Sequence, residues 1–137
     1  MSKSIRIEVL VDAAVSKAWE SWTSPDHIVH WNFASEDWQC PSASVDLRVG
    51  GKYEARMEAK DGSMGFDFIA TFVEVEPLAK LVSRLDDSRL IDVEFKEEGG
   101  KTRVIEEFEI EDQNSAEMQR QGWQNILDNY KSYTESI

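Results

Sequence analysis

The sequence predicts an α+β domain in which a curved antiparallel sheet wraps one long C-terminal helix. Three observations carry this. A strand-period segment is followed at once by two short helical ones. A run of period-two segments then alternates with Gly-Gly, Asp-Gly and Asp-Asp-Ser turns, and the chain ends in a long stretch of apolar positions at helical spacing.

In the first segment Ile5, Ile7, Val9 and Val11 alternate with Arg6, Glu8 and Leu10, the period of a half-buried strand. Asp12 is placed to cap a short helix whose Val15, Ala18, Trp19 and Trp22 share one face. Ser24-Pro25-Asp26 starts a second short helix, running to about Trp31. It supplies a capping hydroxyl, a proline whose fixed φ suits the first helical position, and a carboxylate in the positive first turn. Asn32 to Ser42 shows no period and reads as irregular chain carrying Phe33 and Trp38.

The meander follows. Val45, Leu47 and Val49 alternate with Asp46 and Arg48, and Gly50-Gly51 permits a tight turn. Tyr53, Ala55 and Met57 alternate with Glu54, Arg56 and Glu58 up to the Asp61-Gly62 turn. Phe66 to Val75 is apolar at both parities, which predicts at least partial cover on both faces of that strand, and Glu76-Pro77 ends it. Leu81 to Leu85 and Leu90 to Phe95 flank Asp86-Asp87-Ser88, and Gly99-Gly100 turns the chain into Thr102 to Ile110. Asn114 and Glu117 stand at capping-box spacing before a helix whose stripe includes Met118, Trp123, Ile126, Leu127, Tyr130 and Tyr133. Its length of about 30 Å can span a whole sheet. Short turns predict antiparallel pairing of neighbours, with the first strand closing one edge and the last helix covering the buried face.

Composition narrows the function. The 137 residues form a single domain spanning 1–137, with no linker, repeat or low-complexity tract, and 41% hydrophobic against 31% charged residues is globular. A formal net charge of −12 opposes phosphate backbones and anionic membrane surfaces, so neither nucleic acid nor membrane is an expected partner. The opening residues carry no apolar targeting segment, and Cys40 is the single cysteine; both point to a cytoplasmic protein. Cys40 itself reads as a small packed residue. Monomer and homodimer remain equally open.

The run Val15-x-x-x-Trp19-x-x-Trp22-Thr23-x-Pro25 with Trp31 is followed by Asp46-x-x-x-Gly50-Gly51-x-Tyr53, Asp61-Gly62, Val75-Glu76-Pro77 with Leu81, Thr102-Arg103-Val104, and Gly122-Trp123-x-x-x-Leu127 with Tyr133. In this order the motifs resemble the SRPBCC (START-like) superfamily. Within it they are most similar to homologues of the C-terminal domain of the activator of heat-shock protein 90 ATPase. The resemblance implies the helix-grip fold and a hydrophobic cavity between the long helix and the sheet. Across the superfamily that cavity binds lipids, sterols, plant hormones or polyketides, and a few branches perform chemistry in it. A chaperone partner is also implied by the activator homology.

Candidate residues follow from both readings. His27 and His30 lie three apart without a third ligand at a recognisable spacing, so no metal site is expected. Gly-x-Ser-x-Gly and phosphate-loop motifs are absent, and no cofactor is expected. Only one of Glu106 and Glu107 can face the interior. If Glu106 shares the face of Val104 and Phe108 it becomes a carboxylate of raised pKa, a general base or ligand anchor; otherwise it lies at a wet end or pairs with Arg56 or Arg103. Five tryptophans are many for this length. Trp19 and Trp22 read as core, whereas Trp38 in an aperiodic segment must cover a cavity mouth or another subunit. Trp123 and Tyr130 would face the sheet with polar handles, and Met57 suits an adaptable wall. The candidate ligand-contacting set is therefore Trp38, Met57, Phe68, Glu106, Trp123, Leu127 and Tyr130, with no catalytic residue assigned. The leading expectation is non-enzymatic binding of a small hydrophobic or aromatic molecule. A chaperone-activator-like interaction module comes second, and a polyketide-cyclase-like or hydrolase-like enzyme third.

Overall fold

The computed structural model describes residues 3–137. Its elements run β1 (Ser4–Val11), α1 (Val15–Thr23), α2 (Pro25–Ile28), β2 (Trp38–Val45), β3 (Lys52–Ala59), β4 (Gly65–Glu76), β5 (Lys80–Leu85), β6 (Leu90–Glu98), β7 (Lys101–Glu109) and α3 (Ala116–Ser136). All strand pairs are antiparallel, in the order β1-β7-β6-β5-β4-β3-β2. The sheet curls around α3 in the helix-grip arrangement.

β1 closes one edge, paired with β7 from Ser4↔Glu109 to Val11↔Thr102. Its odd positions are buried and its even positions point outward, as the alternation predicts. Hairpin turns account for the rest of the order. At Gly99-Gly100 both residues have positive φ, 60° and 85°, the conformation that a two-residue hairpin turn requires and that L side chains resist. Gly51 answers a different demand: a Cβ there would meet the Asp46 carbonyl oxygen at 2.1 Å. That close approach lets the chain fold back through Asp46–Gly51, where the Asp46 amide bonds to Lys52 O at 2.9 Å.

Three local expectations are corrected and a fourth, the cover of β4, is met in part. The strand expected at Val45–Val49 lies earlier, at Trp38–Val45, and Leu47 and Val49 are exposed in the turn. β2 is an edge strand with a register shift between Gln39 and Ser42, and Pro41 sits in that bulge, where its missing N–H does no harm. On β4 the second face is covered only in part: Ile69 and Thr71 are half-buried and Val73 is 41% exposed. The irregularity between Phe72 and Glu74 switches parity, so that Phe72 and Val75 both meet the core. Asp12 caps nothing at α1, whose N-cap is Ala14 without a side-chain bond; the Asp12 amide donates to Glu135 at 2.8 Å. The cap of α3 is Ser115, accepting from the Met118 amide at 3.1 Å, one residue beyond the expected Asn114. Asn114 instead bonds the Glu111 carboxylate, which fixes the loop entering the helix.

The C-terminal half of α3 is sealed into the core. Leu127, Tyr130 and Thr134 are fully buried; the Tyr130 hydroxyl donates to Ala18 O at 2.6 Å, and the Thr134 and Ser21 hydroxyls lie 2.7 Å apart. Trp22 and Trp31 meet the Tyr130 ring edge-on at 4.9 and 5.1 Å. With the helix locked here, its N-terminal half stands off the sheet.

Candidate ligand cavity

Between that N-terminal half and the sheet lies a cavity of about 760 Å³. Small-molecule sites commonly occupy roughly 300–1,000 Å³. Trp123 and Ile126 of α3 form one wall, and Tyr53, Met57, Phe68 and Phe72 of β3 and β4 the opposite one. Trp22 and Trp31 separate the cavity from the sealed core. The rings hold one another in place. Trp123 stacks on Phe108 at 4.1 Å with planes 10° apart, and Phe68 presents edges to Trp123 at 6.4 Å and Tyr53 at 6.1 Å. Such contacts fix side chains that would otherwise collapse into the space.

One end is polar. Glu106 lines the cavity and is 6% exposed, on the inward face of β7 with Val104 and Phe108. Its carboxyl forms no hydrogen bond or ion pair among the described residues, and burial pushes its pKa up to about 8. The arginines that could have neutralised it are engaged elsewhere. Arg56 pairs with Glu58 at 3.1 Å and Asp67 at 3.4 Å, and Arg103 with Glu98 at 2.8 Å and Glu8 at 3.7 Å. Of the alternatives left open by the sequence, the inward, unpaired one is observed. Near it stands Tyr53, whose hydroxyl accepts from Asn32 Nδ2 at 3.2 Å. Burial, then the neighbouring Cys40 and Glu106, hold the phenol above its ordinary pKa, so it stays protonated. Neither its hydroxyl hydrogen nor the Trp123 indole N–H has an acceptor among the described residues. A carboxyl, a phenol, an amide and an indole are thus among the groups that line the chamber.

The other end opens to solvent past exposed Phe66, Asp67, Asp86, Asp87, Gln113 and Asn114. Arg89 lies among them, bound to Asp87 at 2.7 Å. Gln119 ties the rim together by accepting from the Glu111 amide and donating to the Glu111 and Asn114 carbonyls.

Of the expected ligand-contacting residues, the structure brings Met57, Phe68, Glu106 and Trp123 to the cavity. Leu127 and Tyr130 lie instead in the sealed core, because their half of α3 packs against α1. Trp38 covers Phe66 at 6.1 Å, outside the cavity lining. Tyr53, Asn32, Trp22 and Trp31 line it without having been singled out. Tyr53 was within reach, being in phase with Met57 on one strand; Asn32 left no sequence signal. The histidines belong to a helix contact: His27 Nδ1 lies 2.6 Å from the Tyr133 hydroxyl, and His30 stacks on the same ring. Among the described residues no group of three His, Cys, Asp or Glu side chains is arranged to hold a metal, and no helix is long and apolar enough to cross a membrane.

A helix-gripping sheet with this chamber and element order has relatives. Residues 12–135 match the family described as Activator of Hsp90 ATPase homolog 1-like protein. The chain belongs to this AHSA1-like family. An AHSA1-like protein from Aeromonas hydrophila shares 44% identity over 98% of this chain and 93% of its own, with a TM-score of 0.92. Chr148 from Cytophaga hutchinsonii shares 41% over 97% and 92%, at a TM-score of 0.84. Protein NE0264 from Nitrosomonas europaea, at 18% identity over 97% and 94% and a TM-score of 0.82, shares the fold. No curated protein matches the chain. The resemblance read from the Gly-Gly and Gly-Trp motifs is thereby established at family level.

Proposed function

We propose that this AHSA1-like chain binds a small, largely apolar molecule in the chamber between α3 and the sheet. The observation that carries the reading is a cavity of about 760 Å³ walled by mutually packed aromatic rings, with the Glu106 carboxyl and the Tyr53 phenol among its lining groups. Removing ligand surface from water would supply affinity at roughly 25 cal/mol per Å², and the polar end would set orientation. Chemistry has less support: Glu106 stands beside a protonated phenol, and no hydrogen bond among the described residues joins it to a nucleophile. Because Trp22, Trp31 and Trp123 line the space, tryptophan emission should report occupancy by a neutral probe such as 4-phenylbutan-1-ol. Trp123→Ala should weaken that probe at least about tenfold while the fold persists, since Trp123 is only half-buried. Unchanged affinity in a folded variant would remove Trp123 from the site, and no saturable response in the parent protein would defeat the binding reading.

The family description and the net charge of −12 favour a second reading, an acidic module that docks on a basic chaperone surface. Association of that kind should weaken steeply between low and physiological salt.

A further inference from the structure

We propose that the ligand is an amphiphilic cation, a hydrophobic body bearing an ammonium group that meets the Glu106 carboxylate. The inference rests on the binding reading above and specifies its charge class.

Glu106 is an unpartnered carboxyl among the described residues, 6% exposed, and lines a cavity walled in large part by apolar side chains and rings. A buried acid without a donor destabilises a fold unless something else satisfies it. Here neither arginine nor lysine from the chain reaches it, although Arg56 and Arg103 stand on β3 and β7 themselves. A Glu106 carboxylate would take a positive charge as its partner. The walls suit such a charge, since the faces of Trp22, Trp31, Trp123 and Tyr53 attract ammonium groups through their quadrupoles. The entrance agrees as well. Its lining carries Asp67, Asp86, Asp87 and Glu111; of the arginines beside them, Asp87 holds Arg89 at 2.7 Å and Asp67 pairs with Arg56 at 3.4 Å, so acidic groups stay in excess. A fatty acid or phosphate ester would face repulsion along the whole path.

The titratable groups around Glu106 are few. Tyr53 on β3 is its neighbour and Cys40 on β2 lies beyond Tyr53. α3 contributes Gln119, Trp123 and Ile126 to the cavity, none of them ionisable in this range, and Ile7 and Val93 flank Glu106 on the adjoining strands. With its pKa near 8, Glu106 is mostly protonated at pH 7, and ionising it there opposes binding by about tenfold. An ammonium ion entering would displace that proton to solvent and take its place, leaving the charge of the chamber unchanged. A quaternary ammonium would do the same without a proton of its own.

Titration calorimetry at pH 7 with 4-phenylbutylamine, 4-phenylbutan-1-ol and 4-phenylbutyrate separates the cases, since the three differ only in head group. The amine should bind about tenfold or more tighter than the alcohol, and the carboxylate weakest. Amine binding should release close to one proton, read from the change in heat between phosphate and Tris buffers, while the alcohol releases none. In Glu106→Gln the preference for amine over alcohol should fall to about one. If that variant does not fold, proton release by the parent protein decides alone. Alcohol binding as tight as the amine, with no proton release, would overturn the cation while leaving the cavity reading intact. Tighter binding of the carboxylate would do likewise. Absence of binding by all three would overturn both.

Discussion

Glu106 is a carboxyl held inside the fold without a partner among the described residues. Its folded pKa of about 8 stands above the ordinary 4.5, so between those values the folded state keeps a proton that the unfolded chain has lost. The contribution of Glu106 to stability is therefore intact below about pH 4.5, declines as pH rises, and levels off above about pH 8, the loss amounting to a few kcal/mol. Glu106→Gln removes this dependence. Its melting temperature should exceed the parent's at pH 9 by several degrees and match it near pH 4.5, as thermal scans at the two values would reveal. An equal difference at both would mean that the carboxyl ionises freely in the fold. The inward direction of Glu106 was legible in the sequence because Val104 and Phe108 share its parity. The same parity puts Arg103 on the other face of β7 and Arg56 on the face of β3 away from Met57, whereas the neighbours Arg56 meets there, Asp67 among them, depend on the sheet register.

Among the elements, α3 does two jobs on one stripe. The 3.6-residue period marked Trp123, Leu127 and Tyr130 alike as inward, yet only Trp123 reaches the cavity. Periodicity reports the face of a helix and is blind to what that face meets, which here changes along its length from chamber to core. The helix depends on its start. Ser115→Ala should cost about 1 kcal/mol, readable as a lower urea midpoint with unchanged slope. The Asp46–Gly51 turn is less forgiving. Gly51→Ala places a Cβ against backbone 2.1 Å away, and a loss of about 2 kcal/mol or more in the same assay is expected. The Gly-Gly pair was visible as a turn, but β2 was not visible as a strand: an edge strand with a proline bulge buries too little to impose alternation on Trp38–Val45.

For the whole molecule, charge sets the tone. With 27 acidic residues against 15 basic ones, self-repulsion opposes compaction, while the surface ion pairs contribute little each. Raising sodium chloride from about 20 mM to about 0.3 M should therefore raise the melting temperature by a few degrees. A fall would mean that the local pairs outweigh the net field. The layer architecture and strand count followed from turn spacing, because hairpins leave few ways to order a meander. One join escapes that local logic, since β1 finds its partner in β7, with Ser4 opposite Glu109. A chain emerging from the ribosome displays β1 first and must wait for nearly all the rest before that strand can pair. The central hairpins can assemble as they appear, whereas the sealing of β1 and the seating of α3 come last, and slowly, because they close the largest loop. During that interval Ile5, Ile7, Val9 and Val11 form an exposed sticky edge, the segment most in need of a holding partner during synthesis.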